Sequence, residues 1–203
     1  MKKAVIVLLV VILGFMGMVG ARADEISDII ERGKKLYQEG KYSEASSELQ
    51  YAVSQIQNLQ AEQLKGLLPE PLSGWTAQEP SASAAPMALF GGGITASRTY
   101  KKEDTGESIE IEIITQSPLL QTVMMLLANP AMLAGQPDTK IVRVKGEKAI
   151  EKFSAKGKKG ELSLILEANT LITVKGRKIS DKNVLHQYME KIDFEVLKKT
   201  VGG

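Results

Sequence analysis

The sequence predicts an α+β protein in which an N-terminal helical hairpin is packed on an antiparallel β-sheet with helices on one face. Three observations lead there. Apolar residues recur at helical spacing, without a proline, from Ile26 to Lys65. The texture then changes to strict alternation, as in Ile109-Glu110-Ile111-Glu112-Ile113, which marks a strand with one buried and one wet face. The alternating segments follow one another across short turns, as antiparallel pairing allows.

The chain of 203 residues is 43% apolar and 25% charged, a balance that can build a core. Its length suits one ordinary domain with a smaller appendage. There is no cysteine. Disulfides, thiol nucleophiles, Cys-ligated zinc, iron–sulfur clusters and a lipid on an N-terminal Cys are therefore excluded.

Residues 1–23 read as a bacterial secretory signal. Lys2 and Lys3 precede an apolar and glycine stretch from Ala4 to Gly20, and Ala21-Arg22-Ala23 supplies the small residues that a signal peptidase needs. Cleavage is expected after Ala23, giving a periplasmic or secreted protein with no stable membrane span. The alternative is an uncleaved N-terminal helix acting as an anchor across a hydrocarbon core of roughly 30 Å. Cleavage removes three of the 26 basic residues and none of the 24 acidic ones, leaving a nearly neutral chain. That balance gives no reason to expect a nucleic-acid partner. The cluster Lys152, Lys156, Lys158 and Lys159 reads as a solvated hairpin tip around Gly157 and Gly160.

Residues 24–66 form the predicted hairpin. Ile26, Ile29, Ile30, Gly33, Leu36 and Tyr37 mark a first helix, Gly40 breaks it, and Ala45, Leu49, Ala52, Val53, Ile56 and Leu59 mark a second. Residues 67–203 form the predicted α+β sandwich. Pro69, Pro71, Gly74, Pro80 and Pro86 make its start a junction, followed by a mobile loop from Ala77 to Gly93. Strands are expected over Ile94–Tyr100, Ile109–Ile113, Lys140–Val144, Ala149–Phe153, Glu161–Glu167 and Thr170–Lys175. A helix capped by Ser117-Pro118 runs to Asn129-Pro130, and a last helix begins at Ser180 or Asp181. Both are expected on the same face of the sheet.

Gly33, Leu36, Gly40, Tyr42, Ala45, Leu49 and Ala52 stand at the positions where a tetratricopeptide repeat places its small and large residues, so this segment resembles one such repeat. The resemblance covers about a fifth of the chain and implies a surface that binds other proteins. A single repeat needs something to cover its apolar face. Over residues 67–200 the order of strands, inserted helix, strands and terminal helix is similar to the PsbP-like family, whose members are largely assembly factors or accessory subunits. A secreted bacterial family of unknown function with a Leu-Pro-Glu-x-Leu-x-Gly-Trp-like opening describes the segment equally well.

No catalytic, cofactor-binding or metal-binding constellation emerges from the residues. His186 is the one histidine, too few for a His-based metal site, and no Gly-x-Ser-x-Gly elbow occurs. Gly91-Gly92-Gly93 lacks the lysine and the helix that a phosphate loop requires. Glu110 and Glu112 share a strand face and could serve acid–base chemistry, but Arg98, Lys102 and Arg143 are expected to pair with them across strands. Residues 115–137 carry no charge and contain Met124, Met125 and Met132, which suit an adaptable docking surface or core better than copper binding.

The functional expectation is a non-enzymatic exported interaction or assembly protein whose partner is another envelope protein. The expected contact residues are Leu36, Tyr42, Leu49, Tyr51, Trp75, Leu119, Met124, Leu127 and Met132. The alternative is a carrier of a hydrophobic small molecule or lipid, with the charge-free segment lining its pocket.

Overall fold

The computed structural model describes residues 25–84, 93–115, 117–133 and 135–201. The expected signal peptide, Gly91 and Gly92 lie outside them. The chain separates into two compact units, one ending at Asn58 and the other beginning at Leu59.

The first unit holds helix α1 (25–38) and most of helix α2 (Tyr42–Lys65). Gly40 reverses the chain between them at φ +77°, a conformation that glycine adopts without a Cβ clash. The seam of the hairpin is built from small residues. Ala45 and Ala52 are buried, and a Cβ on Gly33 would stand 2.8 Å from the Leu49 side chain, so glycine permits the close approach of the two helices. Ile29 fills the seam at 1% exposure, and Arg32 Nε donates to Glu48 Oε1 at 2.6 Å across it.

The second unit is an antiparallel sheet of eight strands: β1 (Thr76–Ala77), β2 (Ser81–Ala84), β3 (Ile94–Lys102), β4 (Glu107–Thr115), β5 (Thr139–Val144), β6 (Glu147–Ser154), β7 (Lys159–Leu166) and β8 (Thr170–Arg177). The order is β1-β3-β4-β8-β7-β6-β5, with β2 also on β3. The α+β class and the antiparallel sheet are as expected. The stretch Ser81–Ala84, read from the sequence as part of a mobile loop, is instead a short strand in register with Ile94–Ser97. Small side chains hid it, because alternating Ser and Ala carry almost no hydropathy contrast.

Three helices follow from the α+β segment: α3 (Leu119–Ala128), with a 3₁₀ turn at Pro130–Leu133, α4 (Asn183–Lys191) and α5 (Phe194–Val201). The expected single last helix is two. Ile192 is extended at ψ 127°, and Asp193 Oδ1 accepts the backbone N–H groups of Glu195 and Val196 at 3.0 Å, which starts the second helix.

The main core lies on one sheet face. Ile109, Ile111, Ile113, Leu162, Leu164, Ile172 and Val174 all share one parity and are sealed by Leu185, Tyr188 and Met189 of α4, by Phe194 and Leu197 of α5, and by Ala61 and Leu64 at the end of α2. Helix α3 corrects the expectation that the inserted helix shares that face. It packs through Leu120 and Val123 on Ile114, Leu171 and Ile165, which stand one residue out of step with the core positions and so point to the other face. The adjacent apolar pair Ile113-Ile114 at the end of β4 is the break in alternation that makes this second seat.

Gly160 and Gly176 are cross-strand partners beneath α4. A Cβ on Gly160 would stand 2.8 Å from Leu185 Cδ1, and one on Gly176 would run into Ile179 and approach Leu185 at 3.0 Å. Leu185 and Ile179 are fully buried, so yielding to a new methyl would disturb the core around them. Gly160→Ala and Gly176→Ala should each destabilise the protein by about 1–3 kcal/mol through overpacking, measured by urea unfolding. Gly157→Ala at the hairpin tip serves as the reference, with a smaller cost.

Candidate functional site

The hairpin presents a single apolar face. With about 100° between successive residues, Tyr42, Leu49, Val53 and Ile56 of α2 fall within an arc of about 60°, and Ile30 and Tyr37 of α1 within about 20°. All six are exposed, from 39% for Ile30 and Leu49 to 67% for Tyr42. The Tyr37 and Tyr42 rings meet with centroids 5.6 Å apart and join the two rows beside the Gly40 turn. Ala45 and Ala52 lie to one side of this arc, in the seam, and Leu49 borders the seam over Gly33 while remaining 39% exposed.

The residues expected to bind a partner fall into several places. Tyr42 and Leu49 belong to the apolar hairpin face. Leu36 is half-buried on the seam side of α1, and Tyr51, though 50% exposed, lies on the opposite side of α2. In the second unit Met124 and Met132 are exposed, Leu127 is half-buried on α3, and Leu119 opens that helix with its side chain outside the described part. Trp75 is half-buried among the core residues, on the sheet face opposite to α3. It is therefore not continuous with the Met124 surface. Sequence reasoning missed Tyr37, Val53, Ile30 and Ile56 as contact residues, although the spacing i, i+7, i+11, i+14 from Tyr42 marks the α2 row.

Trp75 belongs to a polar and aromatic bracket that fixes the start of the sheet unit. Its ring meets Tyr188 edge-on at 5.6 Å, and Tyr188 in turn lies 4.5 Å from Tyr100. Tyr100 donates its hydroxyl to the Pro69 carbonyl at 2.6 Å, and Leu72 N–H donates to the Tyr188 hydroxyl at 3.4 Å. Burial pushes the Tyr188 phenol up to about 12 and the Tyr100 phenol higher still, so both remain neutral donors and acceptors. Arg98 completes the bracket, donating to the carbonyls of Pro69 and Gln78 and to Glu70. This corrects its expected pairing with Glu110 and Glu112. Arg98 shares the parity of Ala96 and Tyr100, whereas the two carboxylates lie on the other face, where Lys175 Nζ donates to Glu112 at 2.9 Å.

The most tightly held charge is one that the sequence analysis did not single out. Glu151 on β6 is 2% exposed and shares the core parity with Ala149 and Phe153. Its carboxylate meets His186 Nε2 at 2.6 Å, Lys182 Nζ at 2.9 Å and Lys140 Nζ at 3.3 Å. Burial alone would raise its pKa, but the hydrogen bonds from His186, Lys182 and Lys140 outweigh burial and hold it down at about 2. A carboxylate so committed is ionised far below neutral pH and is not poised as an acid or base there. It acts as a clamp between α4 and the β5–β6 edge. Among the described residues no group of three or more histidines and carboxylates could hold a metal ion, and no helix is long and apolar enough to cross a membrane.

No family model, curated protein or solved structure matches this chain.

The Glu151 clamp makes stability depend on pH. The depressed pKa means that its contribution is present above the unfolded-state value near 4.5 and lost as pH falls toward 2, a loss of roughly 3 kcal/mol. Urea unfolding at pH 7 and pH 3 should show Glu151→Gln less stable than the parent at pH 7. The gap between the two proteins should narrow at pH 3.

Proposed function

We propose that this is an exported interaction protein whose hairpin docks another envelope protein. The observation that carries the reading is the row of six exposed apolar side chains, Ile30, Tyr37, Tyr42, Leu49, Val53 and Ile56, on one face of the two hairpin helices. A contiguous apolar face on a small unit is the usual mark of an interaction site, and tyrosines combine large contact area with a hydroxyl that can bond at the rim. The spacing shared with tetratricopeptide repeats supports the same reading, since repeats of that family bind proteins. The secretory signal read in residues 1–23 supports export. The uncharged run from Leu49 to Ala61 places no desolvation cost of an ion on the α2 side of that contact.

The α+β unit then acts as the body that carries the hairpin. Its own contribution is rigidity, through the Tyr100–Tyr188–Trp75 bracket and the Glu151 clamp. Site-specific photo-crosslinkers placed at Tyr37 and Val53 should capture one defined polypeptide in the native host envelope, while the same probes at Tyr51 and Lys35 on the far sides should not. Tyr42→Glu with Val53→Glu should weaken that capture at least about 10-fold. Capture that is equal from both faces, or from neither, would overturn the reading.

A further inference from the structure

The outer face of the sheet carries a charge pattern that the interaction reading does not use. In one cross-strand row Glu110, Lys175, Glu161 and Lys152 stand side by side on β4, β8, β7 and β6, alternating in sign. The neighbouring row, at the end of the sheet, breaks that rule. It reads Lys101, Ser108, Arg177, Lys159 from β3 to β7 and contains no carboxylate. Arg177 and Lys159 are direct cross-strand partners, about 5 Å apart along the hydrogen-bonding direction. Like charges directly opposite one another destabilise a sheet.

Neither of these cations is quenched by a neighbour. Among the described residues Lys101, Arg177 and Lys159 make no ion pair or side-chain hydrogen bond, whereas Lys175 one row inward is paired with Glu112. Two concavities meet at Arg177. One, of about 300 Å³, is lined by Lys152, Lys159, Lys175 and Arg177, with the carboxylates of Asp138 and Glu161 at the same concavity and the bare backbone of Gly160 and Gly176 between the cations. The other, of about 330 Å³, lies between β3, β4 and β8 on the side of Lys101. Taken together, seven basic side chains and four carboxylates line them, so the excess is positive.

We propose that this end of the open sheet face binds a phosphate group, held between the Arg177 guanidinium and the Lys159 ammonium. The planar fork of Arg177 can give two parallel N–H donors to two phosphate oxygens, and Lys159 directly opposite supplies a point charge to the third. Two unpaired cations match the charge of about −1.5 to −2 on a phosphomonoester. A bound phosphate also removes the repulsion that the empty pair creates, so the stability lost in the free protein returns as affinity. Lys101 and Lys152, at the flanks, would meet further phosphates of a larger ligand. The phosphate can belong to a free phosphorylated molecule or to a lipid headgroup.

The test uses the double variant Lys159→Gln with Arg177→Gln, beside a tip variant of equal charge change, Lys156→Gln with Lys158→Gln. Inorganic pyrophosphate is titrated calorimetrically, and flotation is measured with vesicles of phosphatidylcholine containing phosphatidylglycerol and with phosphatidylcholine alone. Binding of pyrophosphate assigns a free phosphorylated ligand, and flotation with the anionic vesicles alone assigns a headgroup. In either case the site variant should weaken binding about 30-fold for two cations removed, and the tip variant far less. The site variant should also melt roughly 1–2 °C higher than the parent once the like-charge pair is gone, which separates lost binding from lost fold. Arg177→Lys keeps the charge without the fork and should bind with intermediate affinity. Absence of binding to both ligands, or equal loss in the site and tip variants, would overturn the proposal.

Discussion

The pairing of β4 with β8 is the constraint on which the second unit depends. These strands are separated in sequence by α3 and by three other strands, yet Ile111 faces Val174 and Ile113 faces Ile172 without a slip. A shift of one residue would carry Ile109, Ile111 and Ile113 to the wet face and Glu110 and Glu112 into the core. Every helix contact depends on that parity. The notch for Leu185 exists because Gly160 and Gly176 come opposite each other, and α3 finds its seat because Ile114 and Leu171 fall out of step together. Burying Glu110 and Glu112 unpaired would be costly, so the alternation itself enforces the register.

The regular strands and helices were legible because their side chains contrast. Alternation in Ile109–Ile113 and periodicity in the hairpin both depend on large apolar residues beside charges. Where contrast vanished, the reading failed. Ser81–Ala84 is a strand only because β3 offers it a ladder, and no property of four small residues announces that. The division of the last helix was similarly local, for Asp193 reads as an ordinary helix-surface residue until its side chain is seen on the N–H groups of Glu195 and Val196. Which face α3 would take was decided by two residues from different strands, a relation visible only after pairing.

Polar groups on the buried parity were the second source of difficulty, and they organise most of the site geometry. Glu151 sits between Ala149 and Phe153, and its placement on the apolar side of an alternating strand was the available signal. Its partners come from β5 and α4, so the cluster could not be assembled from spacing along the chain. Arg98 is the same case on β3: its parity with Ala96 and Tyr100 separates it from Glu110 and Glu112, and it spends its donors on the Pro69 and Gln78 carbonyls instead. The hairpin face was more accessible. Tyr42 and Leu49 were found from the repeat-like spacing, whereas Tyr37 joins them only through its ring contact across the turn.

An open sheet has two borders, and here they differ in build. One is the β5 strand, whose outward row carries Arg143 and whose end turns at Lys145 with φ +49°. The other is made of β1 and β2 along the same side of β3, interrupted at Glu79-Pro80. Proline has no N–H to offer, and neither fragment exceeds four residues. A second molecule seeking to extend the ladder from that side would find no continuous run of donors and acceptors. With that border broken, edge pairing through β5 could join at most two copies and could not propagate into a filament, in a protein that displays apolar surface elsewhere.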